Sequence, residues 1–339
     1  MNLTGIAKLT GVLAAAAIAS ACASGSAVSP ATASFNSTYV GRTLFVNGLP
    51  VTAARLNPAP RYAALVPDRV STKRHEYIFS YYGTYASIFD YPKSVDQVGQ
   101  IDGDGGQGCT NVLYGYGKGS FWNVGGNDKI TEYKVPKKPI KTLSVSYYFP
   151  SSCAMNASGD LAVGILYATS SYAGGGQVVI FTNGSGSGKS YATPLDEEFF
   201  DGYDNEGNLF ADGFTGDRSG FALVELPKGA GKFVAIKTSN SVQFPGSVQW
   251  DGTYLTVFDQ DAGAMYRYTV SGTKATLKNT VKFAGLGDCA QTWIVKGLIY
   301  CGDAGTDDGE VFNYPAGGSP VAEFSGNFDL PLGVTAAKK

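Results

Sequence analysis

Short apolar stretches separated by small polar turns recur along most of the chain. The clearest copies run Gly159–Asn183, Gly207–Gly229, Gly252–Gly272 and Gly297–Gly318, with looser ones at Gly119–Lys137 and Tyr77–Lys93. Each copy has a Gly turn, a short apolar strand, a polar turn and a second apolar strand. It ends on a large apolar anchor, soon followed by Pro, Lys or Gly. The anchors are Tyr91, Tyr133, Phe181, Leu226, Tyr268 and Tyr314, at steps of 42, 48, 45, 42 and 46 residues. A period of roughly 40–45 residues with several strands per unit is the sequence signature of a propeller blade. The pattern therefore predicts an all-β protein, a six-bladed β-propeller of four-stranded antiparallel blades over residues 75–339.

The order within each unit also predicts how such a ring would close. Leu330–Ala336 looks like the strand that opens other units, as in Phe244–Trp250 and Phe149–Met155. The first unit, beginning at His75, has no such strand. The C-terminal segment is expected to supply it, which removes the exposed edges between first and last blades.

Composition supports a turn-rich and strand-rich chain: 339 residues include 45 Gly, 21 Tyr and 19 Phe, with only 16% charged. The net charge is −2 and no basic run stands out, which argues against a nucleic-acid partner. The short cluster Ser71–Tyr77 reads as a solvated turn. A monomer is expected.

The first 22 residues read as a signal peptide. Lys8 supplies the positive start and Leu9–Ala19 a short apolar core, too short for a membrane span. Ala19-Ser20-Ala21-Cys22 resembles a bacterial lipobox, with Ala19 where Leu is preferred. Lipidation of Cys22 and an outer-membrane or cell-surface anchor are expected, the membrane being touched only through that lipid. Cleavage near Ala21 or Ala23 without lipid, leaving a periplasmic or secreted protein, is the alternative. Residues 23–74 read as a flexible tether followed by an irregular leader packed outside the main domain.

In an exported chain, the remaining Cys109, Cys153, Cys289 and Cys301 favour disulfides. Four cysteines allow three pairings, and proximity favours Cys109–Cys153 and Cys289–Cys301. The second pair carries a difficulty. A two-residue turn at Lys296-Gly297 pairs Val295 with Leu298 and hence Thr292 with Cys301. Cys289 then stands three residues along, on the opposite face, so the bond needs a bulge or another loop length. Zinc is disfavoured by the absence of a Cys-x-x-Cys pair and by a single His.

Through GNLFADG…FALVELPKG and GEVFNYPAGGSP the chain resembles bacterial exported or lipid-anchored six-bladed propellers with NHL-type repeats, a family without assigned function. The resemblance covers about Glu76 to the C-terminus. Propellers of this general kind include virginiamycin B lyase-like proteins and gluconolactonase-type calcium hydrolases, but fold alone assigns neither activity. The lyases imply a catalytic His with a metal, whereas His75, the single histidine, reads as a surface residue. The hydrolases imply a divalent cation held by acids at the pore, for which Asp201, Asp204 and Asp288 are the candidates and calcium the ion.

Other eye-catching residues have plainer readings. Asp212, Asp259 and Asp303 recur at one place in the repeat and are expected to accept backbone N–H bonds in turns. Ile101–Gly108 alternates Asp102 and Asp104 but lacks the closing Glu of an EF-hand. Gly184–Ser190 ends in Gly-Lys-Ser, yet an antiparallel blade lacks the strand and helix that a phosphate loop needs. No nucleophile elbow is present. The leading expectation is a non-enzymatic scaffold that binds a protein or small ligand through loops, the longest being Tyr167–Gly176, and through exposed aromatics such as Tyr147, Tyr148, Phe199 and Phe200. The alternative is a divalent-metal-dependent hydrolase or lyase at the pore, and a third option is a purely structural envelope protein.

Overall fold

The structure is a computed structural model that describes residues 37–40, 43–46, 49–52, 76–82, 85–102, 106–124, 129–145, 148–167, 175–215, 220–324, 326 and 331–339. The expectations placed on Cys22, the tether, His75, Asp104, Tyr147 and the side chain of Tyr148 lie outside the described residues. Within these bounds the chain is all-β apart from one 3-10 turn at Thr182–Gly184, and it divides into two units, Met1–Ala63 and Ala64–Lys339.

In the first unit the segment expected to be irregular instead forms a three-stranded antiparallel meander, β1 (Ser37–Val40), β2 (Thr43–Val46) and β3 (Leu49–Thr52). The physical reason is local. Thr, Val, Tyr and Phe fill the strands, and Asn47-Gly48 between Val46 and Leu49 is the strongest short hairpin signal.

The second unit begins with β4 (Glu76–Tyr82), β5 (Tyr85–Phe89) and β6 (Gln97–Asp102), a meander. Next come β7 (Gln107–Thr110), the short β8 (Gly117–Lys118), β9 (Ser120–Val124), β10 (Lys129–Lys134) and β11 (Lys138–Ser144), of which β7, β9, β10 and β11 pair in that order. A third sheet holds β12 (Tyr148–Met155), β13 (Leu161–Tyr167), β14 (Gln177–Phe181) and β15 (Lys189–Ala192). β16 (Glu197–Tyr203), β17 (Leu209–Thr215), β18 (Gly220–Leu226) and β19 (Val234–Thr238) follow as another meander. So do β20 (Pro245–Trp250), β21 (Leu255–Asp259), β22 (Ala264–Ser271) and β23 (Lys274–Lys282). These last two meanders touch edge to edge where Lys237 and Thr238 pair in parallel with Lys274 and Ala275. The final meander is β24 (Cys289–Val295), β25 (Leu298–Asp303), β26 (Asp308–Asn313) and β27 (Ala322–Phe324), and the chain ends in β28 (Gly333–Lys338).

β28 does not extend the last meander. It pairs antiparallel with β4, from Gly333 opposite Tyr81 to Lys338 opposite Glu76. This is the partner expected for the C-terminal segment, displaced a few residues toward the end of the chain. The opening strands then contact one another in the cyclic order β7, β12, β16, β20, β24, β28 and back to β7.

The anchors explain why the sheets adhere. Phe181 and Tyr268 are wholly buried, and Tyr133, Leu226 and Tyr314 nearly so. Phe89, Trp122, Phe181 and Tyr300 share one apolar cluster, the kind of burial that contributes roughly 1.5–3 kcal/mol per large side chain.

Four opening strands carry a register shift near their start: β12 between Pro150 and Ser152, β16 between Glu198 and Phe200, β20 between Pro245 and Val248, β24 between Cys289 and Thr292. The recurring aspartates sit opposite three of them. Asp259 accepts the Gln243 N–H at 2.8 Å and the Phe244 N–H at 3.2 Å, and Asp303 accepts the Asp288 N–H at 2.7 Å. Asp259 and Asp303 hold the irregular backbone as expected, whereas neither oxygen of Asp212, buried opposite Phe200, reaches hydrogen-bonding geometry.

The shift in β24 also resolves the cysteine difficulty. Thr292 faces Cys301 and Val295 faces Leu298, the turn residues Lys296 and Gly297 taking φ of 44° and 82°. The extra residue of the bulge then turns Cys289 to the face of Cys301, and the two form a disulfide with Cα atoms 6.0 Å apart. Cys109 and Cys153 form the other, 5.6 Å apart, joining β7 to β12.

Candidate functional site

The opening strands place polar side chains beside one another, and many are used between strands. Gln291 donates to the Gly108 carbonyl at 2.9 Å and accepts from the Val334 amide at 3.1 Å, tying β24 to β7 and β28. Gln249 accepts the Ile294 N–H at 3.0 Å, and Ser247 meets Thr292 at 2.6 Å. Ser151 and Ser152 donate to Glu198 at 2.9 and 3.3 Å. A Cβ at Gly164 would run into the Glu198 carboxylate and the Ser152 hydroxyl, so glycine is what lets the acid lie there.

Asp201 is different. It is 4% exposed, lines a cavity of about 30 Å³ among these strands, and neither carboxylate oxygen reaches hydrogen-bonding geometry. Burial pushes its carboxyl up to about 7, and the nearby Ser152 hydroxyl and Gly164 amide offset only part of that. Burial likewise raises Glu198 well above the carboxylate range, with Asp201 adding repulsion, and raises Asp212. Such a cavity has room for about two waters.

The three metal candidates are not brought together as a ligand set. Asp204 is committed to its own turn, accepting the Glu206 and Asn208 N–H groups at 2.9 Å each. Asp288 sits at the start of the β24 bulge and gives its N–H to Asp303. Among the described residues no group of three His, Cys, Asp or Glu is placed to hold a metal ion.

The expectation of exposed aromatics at Phe199 and Phe200 is corrected by the structure. The two are only 5% and 3% exposed. The register shift in β16 buries neighbours that a regular strand would send to opposite faces. Phe199 packs edge-on against Phe214 and Phe244 with ring centres 5.4 and 5.8 Å apart, and Phe200 lines the small cavity.

A larger hollow lies elsewhere, a surface groove of about 470 Å³ between the β16–β19 and β20–β23 meanders. Hairpin turns at one end of both meanders form its rim, and Phe210, Trp250 and Leu255 supply apolar wall. Asp204, Glu206 and Glu225 also line it, and no Lys or Arg does. Glu225 is 9% exposed, and no hydrogen-bond donor or basic side chain among the described residues meets its carboxylate. Burial first, then repulsion from Asp204 and Glu206, raises its carboxyl. Sequence reading missed this groove because its residues come from turns of two repeats whose packing fixes the gap. The one available signal was an acid at position 225, where the next repeat has Arg267.

No family model and no curated protein matches the chain. Solved structures do. A protein of unknown function from Bacteroides caccae shares 11% identity at a TM-score of 0.56, covering 78% of this chain and 99% of its own. A nidogen/laminin complex structure gives 10% identity and a TM-score of 0.56 over 78% of this chain and 98% of the other. At such identities the likeness speaks to fold alone, and the fold is of the β-propeller kind.

Proposed function

We propose that residues 75–339 form a six-bladed propeller of the NHL type, closed by β28, exported and hung from a lipid on Cys22, that docks a protein partner through the groove between the β16–β19 and β20–β23 meanders. The cyclic contacts of the opening strands and the six evenly spaced anchors support the ring. One observation carries the docking. Many polar side chains of the opening strands hold the strands together around a cavity of only about 30 Å³, whereas the wider groove presents the unpaired acid Glu225 beside apolar wall.

The groove has the volume of an ordinary ligand site, within roughly 300–1,000 Å³. The test is site-specific photocrosslinking in intact cells. A photoreactive residue at Thr253, exposed on the groove rim, should yield a discrete adduct. The same residue at Lys189, exposed on the edge strand β15, should not. Equal labelling, or no adduct from Thr253, would sink the reading.

A further inference from the structure

We infer that the occupant of this groove is the cationic head of an arginine or lysine side chain, presented by a basic segment of the docked protein; the inference rests on the docking reading above.

The repeat itself supplies the template. Leu226 and Tyr268 are equivalent anchors, each paired with the leucine that opens the neighbouring strand, Leu209 and Leu255. Glu225 and Arg267, one residue earlier, are therefore equivalent positions, opposite Phe210 and Thr256. Asp204 and Asp251 are equivalent too. Each follows an opening strand and accepts backbone N–H groups of the turn, Asp204 from Glu206 and Asn208, Asp251 from Thr253 and Tyr254.

In the β20–β23 meander these positions form a complete cation site. Arg267 Nε meets Asp251 Oδ2 at 2.7 Å, and its guanidinium lies over Tyr254 at 4.6 Å and Tyr314 at 5.5 Å. Tyr314 is the anchor of the following meander. In the β16–β19 meander the same frame keeps the turn aspartate, Asp204, but its Oδ2 accepts the Asn208 side-chain amide at 2.8 Å where Asp251 Oδ2 accepts Arg267, and the next anchor, Tyr268, is wholly buried beneath the groove. The position that carries the guanidinium has become Glu225. The Lys228 ammonium stands beside the Gly207 turn and is not part of the groove lining. The Glu225 carboxylate, with Asp204 and Glu206 on the rim beside it, thus stands where the neighbouring repeat places an arginine head.

Source follows from shape. Trp250, partly exposed on the groove wall, suits the methylene stem of a long basic side chain. Asp204 and Glu206 on the rim add charge complementary to further basic residues flanking it. A free amine would leave that rim unmatched.

The probe is acetylated tetra-arginine amide, titrated calorimetrically against the full chain, with tetra-citrulline amide and free arginine amide as controls. Tetra-arginine should bind, and its affinity should fall several-fold between 50 and 200 mM salt. Glu225→Gln should weaken it at least tenfold with an unchanged melting temperature. Glu225→Arg should abolish binding, since it puts a guanidinium in the groove in place of the acid. Equal affinity in Glu225→Gln, or citrulline binding as well as arginine, overturns the inference. Free arginine amide binding as tightly as the peptide overturns the protein segment as its source. A Thr253 crosslink that persists in Glu225→Gln and is not competed by tetra-arginine leaves docking intact and overturns only the cation.

Discussion

Ser151 donates its hydroxyl to Glu198 at 2.9 Å, linking the opening strands of two consecutive sheets around a carboxyl that is 0% exposed. Asp201 and Asp212, buried nearby, add to the raised affinity of Glu198 for its proton. The group with the clearest consequence is Asp201. It titrates at about 7 in the folded protein, against roughly 3.9 in an unfolded chain. Between those values the folded state holds a proton that the unfolded state has lost. Its contribution is complete below about pH 4 and declines by roughly 1.4 kcal/mol per pH unit until about pH 7. Glu310, raised to about 8 by burial and by Asp303, Asp308 and Glu323, acts in the same direction. Urea unfolding at a series of pH values should show greater stability at pH 5 than at pH 8. Asp201→Asn should reduce the slope between pH 4 and 7, and an unaltered slope would contradict the assignment.

Ending the chain at Asp329 removes β28, whose Val334, Thr335, Ala336 and Ala337 are all buried. It also unpairs β4 along six residue pairs. The expected loss is several kcal/mol, a fall in melting temperature of more than about 10 °C by calorimetry. Trimming an ordinary frayed end would change little.

Arg267→Ala leaves Asp251 without its cation, and the Asp251 side chain is 0% exposed. Breaking one side of a buried pair costs about 3–5 kcal/mol. Chemical denaturation should show that loss, and a double cycle with Asp251→Asn should recover much of it. Additive costs would mean the pair contributes nothing as a pair.

The two disulfides close loops of different length, with sequence separations of 44 and 12 residues. On loop entropy, opening Cys109–Cys153 by paired Ser substitutions should cost about 4 kcal/mol, and opening Cys289–Cys301 about 3 kcal/mol. Denaturant midpoints of the two double variants decide the order. The reverse order would show that loop entropy does not govern here.

Much of this architecture was legible because its determinants are local and repeated. Alternating apolar positions, Gly turns and one large anchor per unit specify meanders, and a register set by the Lys296-Gly297 turn predicted the pairing of Thr292 with Cys301. The roles of Asp259 and Asp303 were legible for the same reason, since a residue repeated in several units serves the unit. Phe199 and Phe200 were misread because an alternation rule assumes a regular strand, and the bulge in β16 breaks it.

By itself, the sequence determined the repeating strands from β4 onward, the anchors and the strand that pairs with β4, and favoured the cysteine partners, all of which follow from patterns within a repeat or between its copies. Tertiary structure alone decided what lies between copies. It spent the polar side chains of the opening strands on their neighbours, left Asp201 buried without a hydrogen bond, and turned the exchange of arginine for Glu225 into an acidic groove. Those outcomes depend on distances across sheet boundaries, which residues far apart in the chain set together and no single segment encodes.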